Sequence, residues 1–246
     1  MKMSLLDIVQ DILSDMDSDE VNSIDDTTEA QQVAQVVKTC YFEMIGNRNW
    51  PHLKRLLQLT NVNDLNRPNY LKLPTNLKEL VDVRYQKENG QYVSLKFREP
   101  EEFLTLISNR SLEWTNVQQV YDFGGSTLMV VNDKDPEYWT TFDDVHVVCD
   151  SFDKTLDDTL KASKTQCIAF IQPTWDRSDS FIPDLPVEAF PALLEEAKST
   201  AFFNQKQMVN QKAEQKAGRQ QRWLSRKAWR AHGGVTYPDF GRKKNR

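Results

Sequence analysis

The segment DTTEAQQVAQVVKTCYFEMIG, residues 26–46, carries the clearest periodic signal in the chain. Ala30, Val33, Ala34, Val37, Cys40, Tyr41, Met44 and Ile45 recur at the i, i+3, i+4, i+7 spacing of one helix face. Asp26 and Glu29 stand at capping-box spacing, with Asp26 placed to accept from an orphan N–H and Glu29 to reach back. A long amphipathic helix is therefore expected to start at Asp26, and Gly46 is its natural stop. A helix with one apolar stripe needs partners, and the flanking sequence supplies them.

Upstream, Leu5, Leu6, Ile8, Val9, Ile12, Leu13 and Met16 predict a shorter amphipathic helix ending near Met16. Downstream, from Trp50 to Val131, the period shortens and Asn, Pro and Gly punctuate the apolar runs, as in a β-containing region. Leu80, Val81, Val83 and Tyr85 are expected to face Tyr92, Val93, Leu95 and Phe97 across a hairpin turned at Asn89 and Gly90. Pro100 opens a short helix over EPEEFLTLIS. Residues 128–131, 145–149 and 167–171 are further strand candidates, and residues 150–164 form a short helix or a long polar loop. After Pro183 and Pro186, helical spacing returns at Phe190, Leu193, Leu194, Ala197, Ala201 and Phe202 and is expected to continue through Met208 and Val209 for about thirty residues. Pro191 places the start of that helix near itself, with a separate turn before it. Beyond Lys206 the apolar face thins, so the helix is expected to be solvent-exposed or to await a partner until Gly233 and Gly234 end it.

The expected fold is α+β: an antiparallel helical bundle from the N- and C-terminal regions, a β-rich insertion domain, and an extended basic C-terminal arm. The divisions are residues 1–49, 50–182, 183–218 and 219–246. At 246 residues the chain can bury a core without disulfides or metals. Cys40, Cys149 and Cys167 sit in apolar surroundings and read as buried thiols. Asp143, Asp144 and His146 come nearest to a metal cluster, but if a strand begins at Val145 only Asp144 and His146 share a face, and two ligands are too few. No P-loop, GxGxxG, GxSxG or HExxH motif occurs, and Gly124 and Gly125 read as a turn before a strand. The expectation is a protein that is not an enzyme and uses no cofactor. The N-terminus lacks the apolar core of a signal peptide and no run approaches a membrane span, so a soluble protein made in a cytoplasm is expected.

Charge is segregated. Residues 205–246 hold twelve basic and two acidic residues, a net of +10; with 31 basic and 36 acidic residues in the whole chain, the remainder carries −15. Residues 1–35 hold nine acidic residues and one base, Lys2. Those acids either cap helices and keep the surface solvated, or let neighbouring copies meet through opposite charges. Within RQQRWLSRKAWR, residues 219–230, Arg219, Arg222 and Arg226 follow at i, i+3, i+7, with Trp223 and Lys227 at i+4 and i+8, then Trp229 and Arg230. A basic helix end that complements its own dipole accounts for part of the charge but not for two tryptophans, and Trp and Arg are the residue types that dominate interface hot spots. The partner is nucleic acid, an anionic membrane or an acidic protein surface. The sparse apolar face opposes a membrane, and the acidic body and missing groove-reading motif weigh against nucleic acid.

The string LLDIVQDILSDMDSDEVNSIDDTTEAQQVAQVVKTCYFEMIGNRNW, residues 5–50, followed by a β-rich middle and a C-terminal helix running into a basic, aromatic tail, resembles the head-to-tail adaptors of short-tailed bacteriophages, also called tail tubular, gatekeeper or connector proteins. The resemblance is strongest over residues 12–50. It implies a homo-oligomeric ring of about twelve copies beneath the portal protein, extending the DNA channel and carrying the tail nozzle and fibres. It also implies a virion protein through which genomic DNA passes on ejection without specific binding, eased by acidic residues that repel phosphate. By position, portal binding would fall on Arg219, Arg222, Trp223, Arg226, Lys227, Trp229, Arg230, Tyr237, Phe240 and Arg242. The alternative is a nucleic-acid-binding protein that uses the same basic helix and tail.

Overall fold

A computed structural model describes residues 2–207 and 209–231, with side chains of the last helix described through Ser225. The chain is mixed α+β and divides into two compact units: one takes the residues up to Leu53 and those from Pro173 on, the other is Lys54–Gln172.

In the first unit, helix α1 spans Leu5–Asp15 and buries Leu5, Ile8, Val9, Ile12 and Leu13. Ser4 and Asp7 form its capping box, and the N–H groups of Leu5 and Leu6 donate to the Phe181 and Asp179 carbonyls at 2.7 and 3.2 Å. Orphan donors of the first turn are thus satisfied by chain far away in the sequence, at Asp179 and Phe181. The helix ends at Met16, and Asp17 takes a left-handed φ of 55°.

Helix α2, Thr28–Gly46, buries all eight residues of the expected stripe. Its cap differs from expectation by one residue: Thr27 accepts from the Ala30 N–H at 3.1 Å. Asp26 is drawn off because its carboxylate closes the preceding turn, accepting from the Asn22 and Ser23 amides at 2.8 Å each. Glu29 does not reach back either, but accepts from the Ser18 hydroxyl at 2.8 Å. At the other end, the buried Trp50 indole donates to the Met44 carbonyl at 2.9 Å, satisfying one of the last-turn acceptors.

A 3-10 turn at Val187–Ala189 leads into α4, Phe190–Lys206, with Pro191 in its first turn as expected. The single thirty-residue helix is not formed. Gln207 turns left-handed (φ 52°, ψ 28°) and ends α4, and α5 then runs Gln211–Ala231. Asn210 is the physical reason for the restart: its side-chain oxygen accepts from the Ala213 N–H at 3.1 Å, an N-cap geometry. Helix α4 packs against α1, α2 and α5, and α5 doubles back to touch the 3-10 turn that precedes α4. Gly233 and Gly234, the expected end of the helix, lie outside the described residues.

The second unit holds the strands. One sheet has the order β1 (Lys54–Leu57), β11 (Thr165–Ile171), β4 (Leu77–Gln86), β5 (Tyr92–Ser94). The other has the order β2 (Thr60–Asn61), β3 (Tyr70–Lys72), β10 (His146–Cys149), β9 (Tyr138–Thr140), β6 (Lys96–Phe97), and β7 (Val117–Tyr121) pairs β8 (Thr127–Val131) alone. The expected hairpin forms, with Tyr85 opposite Val93 and Gly90 at φ +82°, where a glycine bears no Cβ penalty. Phe97 leaves it: with Lys96 it pairs in parallel to Tyr138 and Trp139, and its ring lies 4.9 Å from that of Trp139. Helix α3, Pro100–Ser108, follows the Pro100 signal. Residues 150–164 are loop with one 3-10 turn at Ala162–Lys164. Tyr70, Leu71, Val83, Phe103, Val120, Leu128, Val147 and Phe152 form the core.

Candidate functional site

Helix α5 carries the residues to which the sequence points. Its inner face is narrow: Ala213, Ala217 and Leu224, at i, i+4 and i+11, are buried. Two alanines allow close approach to α4, and polar ties flank the seam. Lys216 Nζ lies 2.8 Å from Glu195 Oε1, and Gln221 donates to Glu196 at 3.3 Å. Near the far end, Arg48 lies 3.6 Å over the Trp50 ring and donates to the Ser225 hydroxyl at 3.4 Å. These groups, with Met44 and Leu224, line an open hollow of about 170 Å³. The helix is therefore not polar all round, and residue 219 falls inside a packed helix.

The outer face is basic. Lys212, Gln215, Arg219 and Arg222 are exposed at i, i+3, i+7 and i+10, one row about 15 Å long. Lys212, Arg219 and Arg222 have no ion pair among the described residues. Trp223, beside Arg219 on the helix surface, is 48% exposed. Arg226, Lys227, Trp229 and Arg230 continue α5, with side chains outside the described residues, as are Tyr237, Phe240 and Arg242 entirely. The structure thus brings Arg219, Arg222 and Trp223 together on one exposed helix.

The opposite charge pole is partly neutralised within the unit. Lys198, on α4 and 8% exposed, reaches Asp11 and Asp15 at 3.0 and 2.6 Å. Burial pulls its pKa down, but the two carboxylates outweigh this and hold it above the ordinary lysine value. Arg177 pairs Asp25 at 2.6 Å and Lys206 approaches Glu29 at 3.9 Å. Asp17, Asp19 and Glu20 remain exposed, without a basic partner among the described residues. Elsewhere in the unit, burial first and then the neighbouring Glu43 and Glu214 push the Glu196 carboxyl up from its ordinary value.

The other sequence candidates resolve as follows. Strand β10 begins at His146, Asp144 sits in a left-handed turn, and it is Asp143 that meets His146 Nδ1, at 2.6 Å. Among the described residues no group of three His, Cys, Asp or Glu could hold a metal ion. Gly124 and Gly125 form the β7–β8 turn, where Asp122 accepts from Gly124 N–H at 2.9 Å. Cys40, Cys149 and Cys167 are buried free thiols, and burial pushes Cys40 up to about 11 and Cys167 to about 12. Among the described residues no helix is long and apolar enough to cross a membrane.

Two arrangements carry no sequence signal. Arg67 lies 4.1 Å over the Phe123 ring, which stacks at 4.5 Å on His146, fastening the β7–β8 turn to the loop before β3. Arg110 and Asp150, forty residues apart, form a nearly buried ion pair in the second unit. No protein-family model matches this sequence, and no curated protein matches it.

Proposed function

We propose that the chain is a head-to-tail adaptor of a short-tailed bacteriophage, a structural virion subunit that oligomerises into a ring under the portal, extends the DNA channel and joins the capsid to the tail nozzle and fibres. What carries the reading is the exposed basic row on α5, without an ion pair among the described residues, set on an acidic body beside the adaptor-like helices of residues 5–50. A long basic, aromatic segment that orders on an acidic protein surface loses conformational entropy, and repetition around a closed ring compensates by multivalency. In this reading the two ends of the chain form the bundle, the arm grips the portal, and DNA passes without specific contacts. It assigns no catalytic chemistry and no cofactor.

The packing of α5 refines where the arm begins. Leu224 is 5% exposed and Ser225 is held by Arg48, so this reading assigns portal contact to Arg226, Lys227, Trp229, Arg230, Tyr237, Phe240 and Arg242 beyond them. The test is to mix the purified protein with portal rings of the same virus and image the product by electron microscopy. An added ring of density is expected for the full chain, and none for a chain ending at Ala231. Docking retained by that truncation, and by one ending at Gly218, removes the arm from portal recognition.

A second reading is favoured by one observation: Arg219, Arg222 and Trp223 share an exposed face suited to phosphates and base stacking. Tight retention of an arbitrary duplex by the isolated chain in a gel shift, weakening steeply with salt, would favour this nucleic-acid reading over the adaptor.

A further inference from the structure

Acidic residues follow α1 at the end that its dipole disfavours for them. Asp17, Asp19 and Glu20 lie just past the C-terminus of α1, the negative end of the helix dipole, and the last turn of that helix has no base. The nearby Lys198 is already shared between Asp11 and Asp15. Lys212 stands in the first turn of α5, the positive end of that helix, where a cation is also disfavoured. Glu214 in the same turn offsets it in part, but Arg219 and Arg222 extend the row with no carboxylate partner among the described residues. One unit therefore carries two patches of opposite sign, and among the described residues no ion pair joins them. The two patches are complementary in charge, as surfaces of one contact would be.

We propose that these patches are the two halves of one contact between copies: the loop bearing Asp17, Asp19 and Glu20 of one chain docks on the Lys212, Arg219 and Arg222 row of a second copy. Four loop residues, 17–20, span up to about 10 Å, which fits within the ~15 Å row. Made once between two copies, the contact is heterologous and leaves a free loop on one copy and a free row on the other. Such a contact repeats into a ring or a filament instead of stopping at a symmetric dimer. A nucleic acid on the α5 row would satisfy the bases but leave the acids at the end of α1 without a partner. The contact deepens the adaptor reading, on which it rests for ring closure, and it leaves the distal arm free for the portal.

The experiment is a charge swap read by sedimentation velocity over micromolar concentrations. The wild-type chain is expected to self-associate at about 50 mM salt and to weaken at least tenfold by about 500 mM, as the Debye length shrinks. Asp17→Lys/Asp19→Lys/Glu20→Lys and Arg219→Glu/Arg222→Glu are each expected to stay monomeric alone while keeping wild-type circular dichroism. Mixed one to one they are expected to associate again, because each presents the complement of the other. A wild-type chain that is monomeric throughout, reversed variants that associate as the wild type does, or a mixture of two folded variants that fails to recover overturns the proposal. Portal capture by the full chain is scored separately, so failure of the swap with capture intact removes this contact alone, and loss of capture with the swap intact removes the adaptor reading alone.

Discussion

Replacing Asp150 tests how the second unit is held together. Its carboxylate is 3% exposed; Oδ2 meets Arg110 Nη2 at 2.9 Å, while Oδ1 accepts from the Glu137 and Tyr138 amides at 3.0 and 2.9 Å. The Asp150 carbonyl takes a further bond from Arg110 Nη1, which also donates to the Met129 carbonyl at 3.1 Å. One carboxylate thus joins the end of α3, β8, β9 and β10. Asp150→Ala leaves a guanidinium that is 12% exposed without its counter-ion, a loss worth about 3–5 kcal/mol, and strands two amides. Since the effects overlap, the expected loss is about 4–6 kcal/mol, close to the whole stability of a small domain. Asp150→Asn keeps Oδ1 as an acceptor for the two amides but turns an NH2 donor toward Arg110 in place of Oδ2, losing the charge and that hydrogen bond, so about 2–3 kcal/mol is expected. Urea titration followed by tryptophan fluorescence reads both, since Trp139 adjoins the site and is buried. An Asn variant as stable as the wild type, or losses below about 1 kcal/mol for both, would refute the idea that the paired charge holds these strands together.

Two further outcomes concern α5 and its seat. Gly218 lies inside the helix and a Cβ there would meet nothing within 4 Å, so Gly218→Ala should stabilise the fold by roughly 0.5–1 kcal/mol, seen as a higher melting temperature. A lower one would show that something in the monomer already fills that space. For Glu196, whose carboxyl is raised, the folded state holds the proton more tightly than the unfolded chain does. Stability is therefore lost as pH rises from the ordinary carboxyl value through the raised one, and the deficit persists above it. Glu196→Gln should accordingly stabilise at pH 7, by less than about 1 kcal/mol for a group this exposed, and have no effect near pH 4; melts at the two pH values check the crossover.

The helices were the most legible part of the chain because burial there repeats every turn within one segment. Every residue of the Ala30–Ile45 stripe is buried, and Pro100 and Pro191 sit in the first turns their chemistry favours. Strands depended on partners that local sequence does not reveal. Strand β1 exposes Lys54, Arg55 and Leu56 and exists through pairing to residues 167–170, more than a hundred positions away. Strand β4 departs from strict alternation, leaving Val81 exposed, because its pairing with β11 is irregular near Ile168 and Ala169. Among the candidate residues, the shared helix face of Arg219, Arg222 and Trp223 was legible from spacing. The Arg67–Phe123–His146 stack was not, since nothing local couples positions so far apart.

The break between α4 and α5 shows what periodicity misses and why it matters for function. Met208 and Val209 extended the apolar rhythm of α4, so a continuous helix was the economical expectation, yet no Gly or Pro was needed to stop it. Gln207 accepts a left-handed backbone and Asn210 supplies a cap for the next helix; an Asn three residues before Ala213 was the available signal. The returning helix then seats on two alanines and one leucine, residues that a hydrophobic pattern barely registers but that let helices approach closely. A basic segment continuous with α4 would have projected its charges away from the body as one reaching arm. Folding back instead anchors Lys212, Arg219 and Arg222 on the same unit as Asp17, Asp19 and Glu20, at fixed positions. Fixed positions give a charged row a register against a neighbour, which a flexible tail cannot supply.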